Sequence, residues 1–354
     1  MAQTDIRETT TTGMKIGVPD FSVSGASLDS PYQDEFYYIN ENWTKYYGYY
    51  ENIPELKSAL DSFATWVVGK GYEVDARTKV ILEGLVGQGK ESDDLILFNL
   101  FIIKKINGDA YAQIIRNKDQ LINLKVLNPQ RVRIVYDKAG LIKRYDYLQN
   151  DSSWKKIDVD DMLHLINDKI GDSVHGTSVI KSCQWIIDAR NEAMNDWRRV
   201  LHRSTIRVLY VDEDSELQVL KNQYKEAIKN GELLLLPIKR GEGEFQDLSA
   251  PPIQAFIEWI RYLEGFFYQA VRVGRIIATS EGTTEAGGKV GYLTFEPTYT
   301  REQQIIEADF WNQLQLRIIF NRPPSLSTML QSEQQKNQVQ TGFQQSEFQV
   351  GQNE

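Results

Sequence analysis

The stretch from residue 176 to residue 204, GTSVIKSCQWIIDARNEAMNDWRRVLHRS, contains no glycine or proline after its opening residue. Helix interiors reject proline and tolerate glycine poorly, so the stretch reads as one helix. At ~1.5 Å rise per residue it runs to about 40 Å. A second long helical run, residues 253–278, follows after a short insert. Two rods flanking a compact module constrain this chain more than any cluster of reactive side chains. Neither rod can bury both of its faces within one thin subunit, so lateral neighbours are expected.

Composition narrows the class. A chain of 354 residues with 41% hydrophobic content has room for two or three domains and a sizeable core. No apolar run approaches the ~20 residues a bilayer demands, and residues 1–15 hold no signal-type stretch. The expectation is a chain made in a cytosol and kept off membranes. The single cysteine, Cys183, has no intrachain partner, which removes disulfide frameworks and cysteine metal sites. A net charge of −9 argues against gripping nucleic acid over the whole surface. It leaves room for a protein that DNA merely passes, since an acidic wall discourages sticking.

Residues 1–50 read as an N-terminal arm whose first ~35 positions lack apolar anchors and order, if at all, against a neighbour. Phe36, Tyr37, Tyr38, Trp43, Tyr46, Tyr47, Tyr49 and Tyr50 crowd its end, a cluster suited to a core or a subunit contact. Asn52 is the expected cap of a helix with the apolar stripe Ile53, Leu56, Leu60, Phe63 and Val67, which stops at Gly69. A short strand at 72–74 and a helix at 92–105 follow, then the turn Asn107, Gly108, Asp109. Beyond it the period becomes two, and 110–116, 121–127, 131–136 and 141–148 read as an antiparallel meander, with one or two further short elements in 154–166. Between the rods, strand-like 206–211, amphipathic 215–230 and strand-like 233–238 make a β-α-β unit too small for an enzyme domain. Residues 279–291, TSEGTTEAGGKVG, read as a glycine-rich loop, and 299–320 as a further helix ahead of a Gln-rich tail.

Candidate chemistry is sparse. Gly84, Gly89 and Lys90 fit part of a phosphate-binding loop, with 80–82 as its strand, but Glu91 stands where Ser or Thr must hold magnesium. A helix-ending turn is the better reading. Asp158, Asp160, Asp161 and His164 have the density of a divalent-metal nuclease site. A solvated turn explains the aspartates, and a satisfied histidine between Leu163 and Leu165 explains His164. Ser178 lacks a nucleophile-elbow context and reads, with Thr177, as a helix cap. Arg198, Arg199, His202, Arg203 and Arg207 form the only basic cluster of note, half accounted for by the helix dipole and half available to phosphate or a subunit contact. No complete catalytic constellation emerges, and no cofactor is implied.

The order of parts is similar to that of the portal proteins of tailed bacteriophages, over roughly 53–320. The pieces that carry it are Val68, Gly69, Lys70, Gly71, Tyr72; Asn107, Gly108, Asp109, Ala110, Tyr111, Ala112; Leu127, Asn128, Pro129, Gln130, Arg131, Val132; Asp161, Met162, Leu163, His164; and Gly176, Thr177, Ser178, Val179, Ile180. The resemblance implies an α+β portal fold: a mixed α/β wing (51–175), a first stem helix (176–205), a small α/β clip (206–252) and a second stem helix (253–278). A tunnel loop (279–292), a wing or crown helix (293–324) and a polar tail (325–354) would complete it. It implies a homo-oligomeric ring, typically of about twelve subunits, at the unique capsid vertex of the virion. Double-stranded DNA would pass through it in packaging and ejection. The large terminase, the major capsid protein and a head-completion adaptor would be its partners, with the ATPase in the terminase. The tunnel loop would present Thr283, Thr284, Glu285, Gly287, Gly288 and Lys289 to DNA, and Arg198, Arg199, Arg203 and Arg207 would lie near the junction of stem and clip. The early end of the chain departs from the pattern and argues against a large crown. The competing classes are a packaging enzyme, either an ATPase using 84–90 or a metal nuclease using Asp158, Asp160 and His164, and a non-viral ring scaffold.

Overall fold

A computed structural model describes residues 35–118, 120–203, 207–210, 222, 225, 233–236, 253–279, 285–323 and 325. Strand β1 (Phe36–Tyr38) leads into helices α1 (Trp43–Asn52) and α2 (Pro54–Val67), which only Ile53 separates. Ile53 is extended, as the residue before a proline must be, and Pro54 takes the first helical position, where a missing N–H costs nothing. Asn52 therefore does not cap α2. It closes α1, donating from Nδ2 to the Gly48 carbonyl at 2.7 Å. The stripe Leu56, Leu60, Phe63 and Val67 is buried, as its spacing predicts.

Strand β2 (Tyr72–Val74) and helix α3 (Ala76–Glu83) precede α4 (Asp93–Asn107). Ser92 caps α4 by accepting from Leu95 N, and Gly108 ends it in the left-handed region at φ 93°. The strands that follow divide between two sheets. β3 (Asp109–Asn117) lies between β4 (Gln120–Leu127) and β8 (Met162–Ile166). β5 (Val132–Tyr136), β6 (Ile142–Leu148) and β7 (Trp154–Asp158) form an antiparallel set that β1 extends. One continuous meander was the simpler expectation. The break falls at Asn128 and Pro129, where a 3-10 turn capped by the Asn128 side chain re-aims the chain.

Helix α5 (Val179–Arg203) is the first rod. The second is interrupted: α6 (Ile253–Val271) stops where Arg272 adopts φ 63°, with Val273 N bonded to the Tyr268 carbonyl, and a short α7 (Arg275–Thr279) follows. Helix α8 (Glu285–Leu314) begins inside the stretch expected to be a glycine-rich loop, with Gly287, Gly288 and Gly291 all helical and Pro297 within it. Packing overrides propensity here. A Cβ on Gly291 would already sit 3.4 Å from the Ile276 side chain, and Tyr292, Phe295 and Tyr299 stack around Trp66 of α2. At its other end α8 stops at Leu314, with Gln315 left-handed, and β11 (Ile318–Phe320) pairs antiparallel with β2. The helix expected over 299–320 thus starts earlier and ends earlier.

Strands β9 (Arg207–Tyr210) and β10 (Leu233–Leu236) pair in parallel, as a β-α-β unit requires. The helix expected at 215–230 lies outside the described residues except for single positions. So does the arm before residue 35 and the tail beyond 325. One core joins α2, α4, the first half of α5, α6, α8 and the β3 sheet; a second, around Val132, Ile134, Tyr145 and Ile157, fills the β5–β6 sheet. Among the described residues no helix is long and apolar enough to cross a membrane.

Candidate functional site

Helices α5 and α6 form an antiparallel hairpin: Trp185 packs on Phe266 at 5.9 Å, and Trp197 stacks on Phe256 at 4.5 Å. The first half of α5 buries Ile180, Cys183, Ile186 and Ile187; residues 191–198 are mostly exposed. On α6, Leu263, Phe267 and Val271 face inward while Trp259 and Tyr262, stacked at 5.7 Å, stand 47% and 59% exposed. Trp185, Met194 and Ile257 join them at the surface. A row of large apolar side chains at this exposure is uncommon on a monomer and marks a contact surface.

The root of the hairpin is fixed by polar groups. Two glycines meet there: a Cβ on Gly176 would lie 2.2 Å from the Gly108 carbonyl oxygen and 2.4 Å from that of Asn167. Only glycine permits this backbone approach. Asn167 N donates to Gly108 O at 2.7 Å, Thr177 N to Asn167 O at 2.8 Å, and Asn167 Nδ2 to Thr177 O at 2.7 Å. Asp109 Oδ1 accepts from Gly176 N at 2.8 Å and lies 3.0 Å from His164 Nε2; Tyr145 OH is 3.0 Å from His164 Nδ1. Ser178 is the cap of α5, accepting from Ile180 N at 3.1 Å and donating to Ile106 O. The sequence pieces around Asn107, His164 and Gly176, far apart in the chain, thus converge on one joint.

Beneath the joint lies an ion cluster that no sequence signal announces. Glu302 of α8 accepts from Lys104 Nζ at 3.0 Å and Lys105 Nζ at 2.6 Å, and Lys105 also donates to Asn167 Oδ1 at 2.8 Å. All three charged side chains are buried. Burial drives the Lys105 ammonium down to about 8 against the pull of Glu302. Burial also pushes the Glu302 carboxyl up, but Lys105 and Lys104 outweigh it and hold it at about 2. Half-buried Asp309, about two turns further along the same face of α8, is pushed up to about 6 by burial, against the attraction of Lys104 and His164. The lysine pair could have been noticed as charges ending an apolar helix; Glu302, nearly 200 positions away, could not.

The candidates for chemistry take structural places. His164, Asp109 and Tyr145 are buried, and every contact above serves the joint. Asp158, Asp160 and Asp161 are exposed, with Asp161 paired to Arg116 at 3.0 Å. Among the described residues, no group of three or more His, Cys, Asp or Glu side chains could hold a metal ion. The segment 80–82 is helical, in α3, and the turn after it has its N–H groups in use. Val86 and Gly87 donate to Asn123 Oδ1 at 3.2 and 2.9 Å, and Gln88 to Glu91 Oε2 at 3.3 Å. No N–H cradle is left open for a phosphate.

Of the expected channel residues, Arg198 is exposed on α5, and Arg199 and Arg203 follow it on that helix. Arg207 opens β9. Thr283 and Thr284 lie outside the described residues, whereas Glu285, Gly287, Gly288 and Lys289 form the start of α8 rather than a loop.

No protein-family model and no curated protein matches the chain. Solved structures do. A chain from the virion of a native gene transfer agent particle superposes with a TM-score of 0.57 at 16% identity, over 85% of this chain and 89% of that one. A chain from the neck of the empty particle of that type, computed with C6 symmetry, gives 0.58 at 15%, over 85% and 90%. An HK97-family phage portal protein from Corynebacterium diphtheriae gives 0.51 at 12%, over 76% and 92%. The α+β fold expected from the order of parts is therefore the fold of phage portal proteins, and at these identities the likeness is one of fold.

Proposed function

We propose that this chain is a portal protein: a ring-forming subunit at the unique capsid vertex of a virion, whose channel carries double-stranded DNA during packaging and ejection. The observation that carries the reading is the hairpin. It leaves Trp185, Trp259 and Tyr262 in water unless a neighbouring copy covers them, which supports its reading as the wall of a ring. Twelve copies is the proposed number, the symmetry with which the neck of the native gene transfer agent particle was computed.

In this reading residues 51–175 are the wing, α5 and α6 the stem, 206–252 the clip that docks the large terminase and later a head-completion adaptor, and 293–324 the return to the wing, which meets the major capsid protein. Residues 279–292 face DNA, with Thr283, Thr284 and Glu285 leading into Gly287, Gly288 and Lys289. Arg198, Arg199, Arg203 and Arg207 lie toward the clip. The chain is a passive conduit with no catalysis of its own, and the packaging ATPase is a separate protein. Particle counting by negative-stain microscopy tests it. Rings with a central hole are expected; a monodisperse monomer at micromolar concentration overturns the reading. Tight duplex binding by the ring at physiological salt overturns the passive conduit.

A further inference from the structure

The surface between α3, the β3–β4 turn and the end of α8 encloses a pocket of about 630 Å³, within the ~300–1,000 Å³ range of ligand pockets. Its apolar lining comes from three elements: Leu121 of β4, Leu314 of α8 and Leu316 beyond it, with Val80 of α3 and Trp311 of α8 left 72% and 52% exposed. Three guanidinium groups, Arg77, Arg116 and Arg317, share the lining with a single carboxylate, Asp75.

That carboxylate is already committed. Asp75 caps α3, accepting from Arg77 N, Thr78 N and Thr78 Oγ1, and these bonds hold it below the usual carboxylate range. Arg116 is committed too, to Asp161 and the Asp160 carbonyl. Arg77 and Arg317 are exposed, and among the described residues neither guanidinium has a hydrogen bond or ion pair. In a chain of net charge −9, two unengaged arginines beside an exposed tryptophan and an apolar floor form a local inversion of the surface. Arginine and tryptophan beside a concave apolar surface that a partner would desolvate are the chemistry of an interface anchor.

We infer that this pocket docks an acidic peptide segment of a partner protein, with an aromatic or branched apolar side chain seated between Trp311 and Val80 and flanking carboxylates on Arg77 and Arg317. Charge complementarity selects the partner: guanidinium groups recognise carboxylates through paired, charge-assisted hydrogen bonds. Duplex DNA fits the site less well. A duplex draws on many spaced cations, whereas this concave lining holds three arginines, of which Arg116 is already paired with Asp161 and only Arg77 and Arg317 lack a partner among the described residues. The pocket lies within one protomer and needs no neighbouring copy, so it stands whether or not the chain forms a ring.

Fluorescence polarisation on the full-length protein tests this, using a library of labelled Asp- and Glu-rich nonapeptides with Trp, Phe, Leu or Ile at the centre. Lysine-substituted counterparts and a labelled 20-base-pair duplex serve as competing probes. The expected result is binding by acidic members that weakens with salt, falls at least about tenfold in R77E/R317E and about as much in W311A, and is absent for the lysine counterparts. No binding by any acidic member overturns the proposal, as does equal binding by R77E/R317E. Duplex binding that R77E/R317E abolishes, without peptide binding, assigns the pocket to nucleic acid instead. Negative-stain images of the same samples report ring formation separately.

Discussion

Helix α5 is held at its two ends by different chemistry. At the start, the Gly108 and Gly176 backbones, Asn167 and the His164–Asp109 contact close a joint in which polar groups find partners inside one protomer. Toward the far end, Trp197 stacks on Phe256 within the hairpin, while Met194 and, on α6, Trp259 and Tyr262 remain exposed. Asp109 Oδ2 apart, which is buried without a hydrogen-bond partner among the described residues, the joint is satisfied within a single chain; the hairpin's outer face is not covered. That difference separates what the protomer needs in order to fold from what an assembly needs in order to form, and substitutions at the two places should separate the two.

The largest effect is expected at the joint. Glu302→Ala leaves Lys104 and Lys105 buried without a counter-charge, and breaking a buried pair in this way costs about 3–5 kcal/mol. Glu302→Gln keeps the volume and one acceptor and should lose less. Urea denaturation read by far-UV circular dichroism checks both. A loss below about 1 kcal/mol for the alanine variant would mean that the lysines find other partners, and the joint would lose its special status.

The hairpin should behave in the opposite way. Replacing Trp259 and Tyr262 together by Lys removes two exposed aromatics and few internal contacts, so protomer stability should change by under about 1 kcal/mol. Each aromatic is an interface anchor worth about 2 kcal/mol or more, so rings should give way to single subunits in mass photometry. Rings that survive the double change would place the neighbour on another face of the stem.

The same contrast decides what could be read from the sequence. The hairpin was legible because it is local: residues 176–204 lack helix breakers, and the stripe in α2 repeats at helical spacing. Its interruption at Arg272 was not, because a left-handed arginine followed by Val273 and Gly274 resembles continuing helix. The glycine-rich stretch misled for the reverse reason. Gly287, Gly288 and Gly291 have poor intrinsic helicity, but α8 is anchored just beyond the first two, by Gly291 against Ile276 and Tyr292 against Trp66, contacts that no local window contains. The joint was half legible. Asn107, Gly108 and Asp109 stood out as a turn and Gly176 as the start of the rod, but their meeting at Asn167, and the pairing of Lys104 and Lys105 with Glu302 beneath, are properties of the tertiary fold alone.

The smallest effect concerns pH and sharpens the account of the joint. Burial raises the Asp309 carboxyl to about 6 from an ordinary 3.8, with Lys104 and His164 pulling it down and Glu302 pushing it up. Between those values the folded chain holds a proton that the unfolded chain releases, so this group's contribution to stability is full below pH 3.8 and is lost as pH rises through about 6. Glu302, held at about 2 against an ordinary 4.5, acts oppositely: its contribution is present above 4.5 and lost as pH falls toward 2. Asp309→Asn removes the first effect and spares the second. With one pKa unit worth about 1.4 kcal/mol and Asp309 still partly in contact with water, the variant should gain about 1–2 kcal/mol at pH 7 and almost nothing near pH 4. Urea midpoints at the two pH values measure the difference. An equal change at both would show that Asp309 acts through packing rather than its proton, and the joint would then depend on the Lys104–Lys105–Glu302 cluster alone for its response to acid.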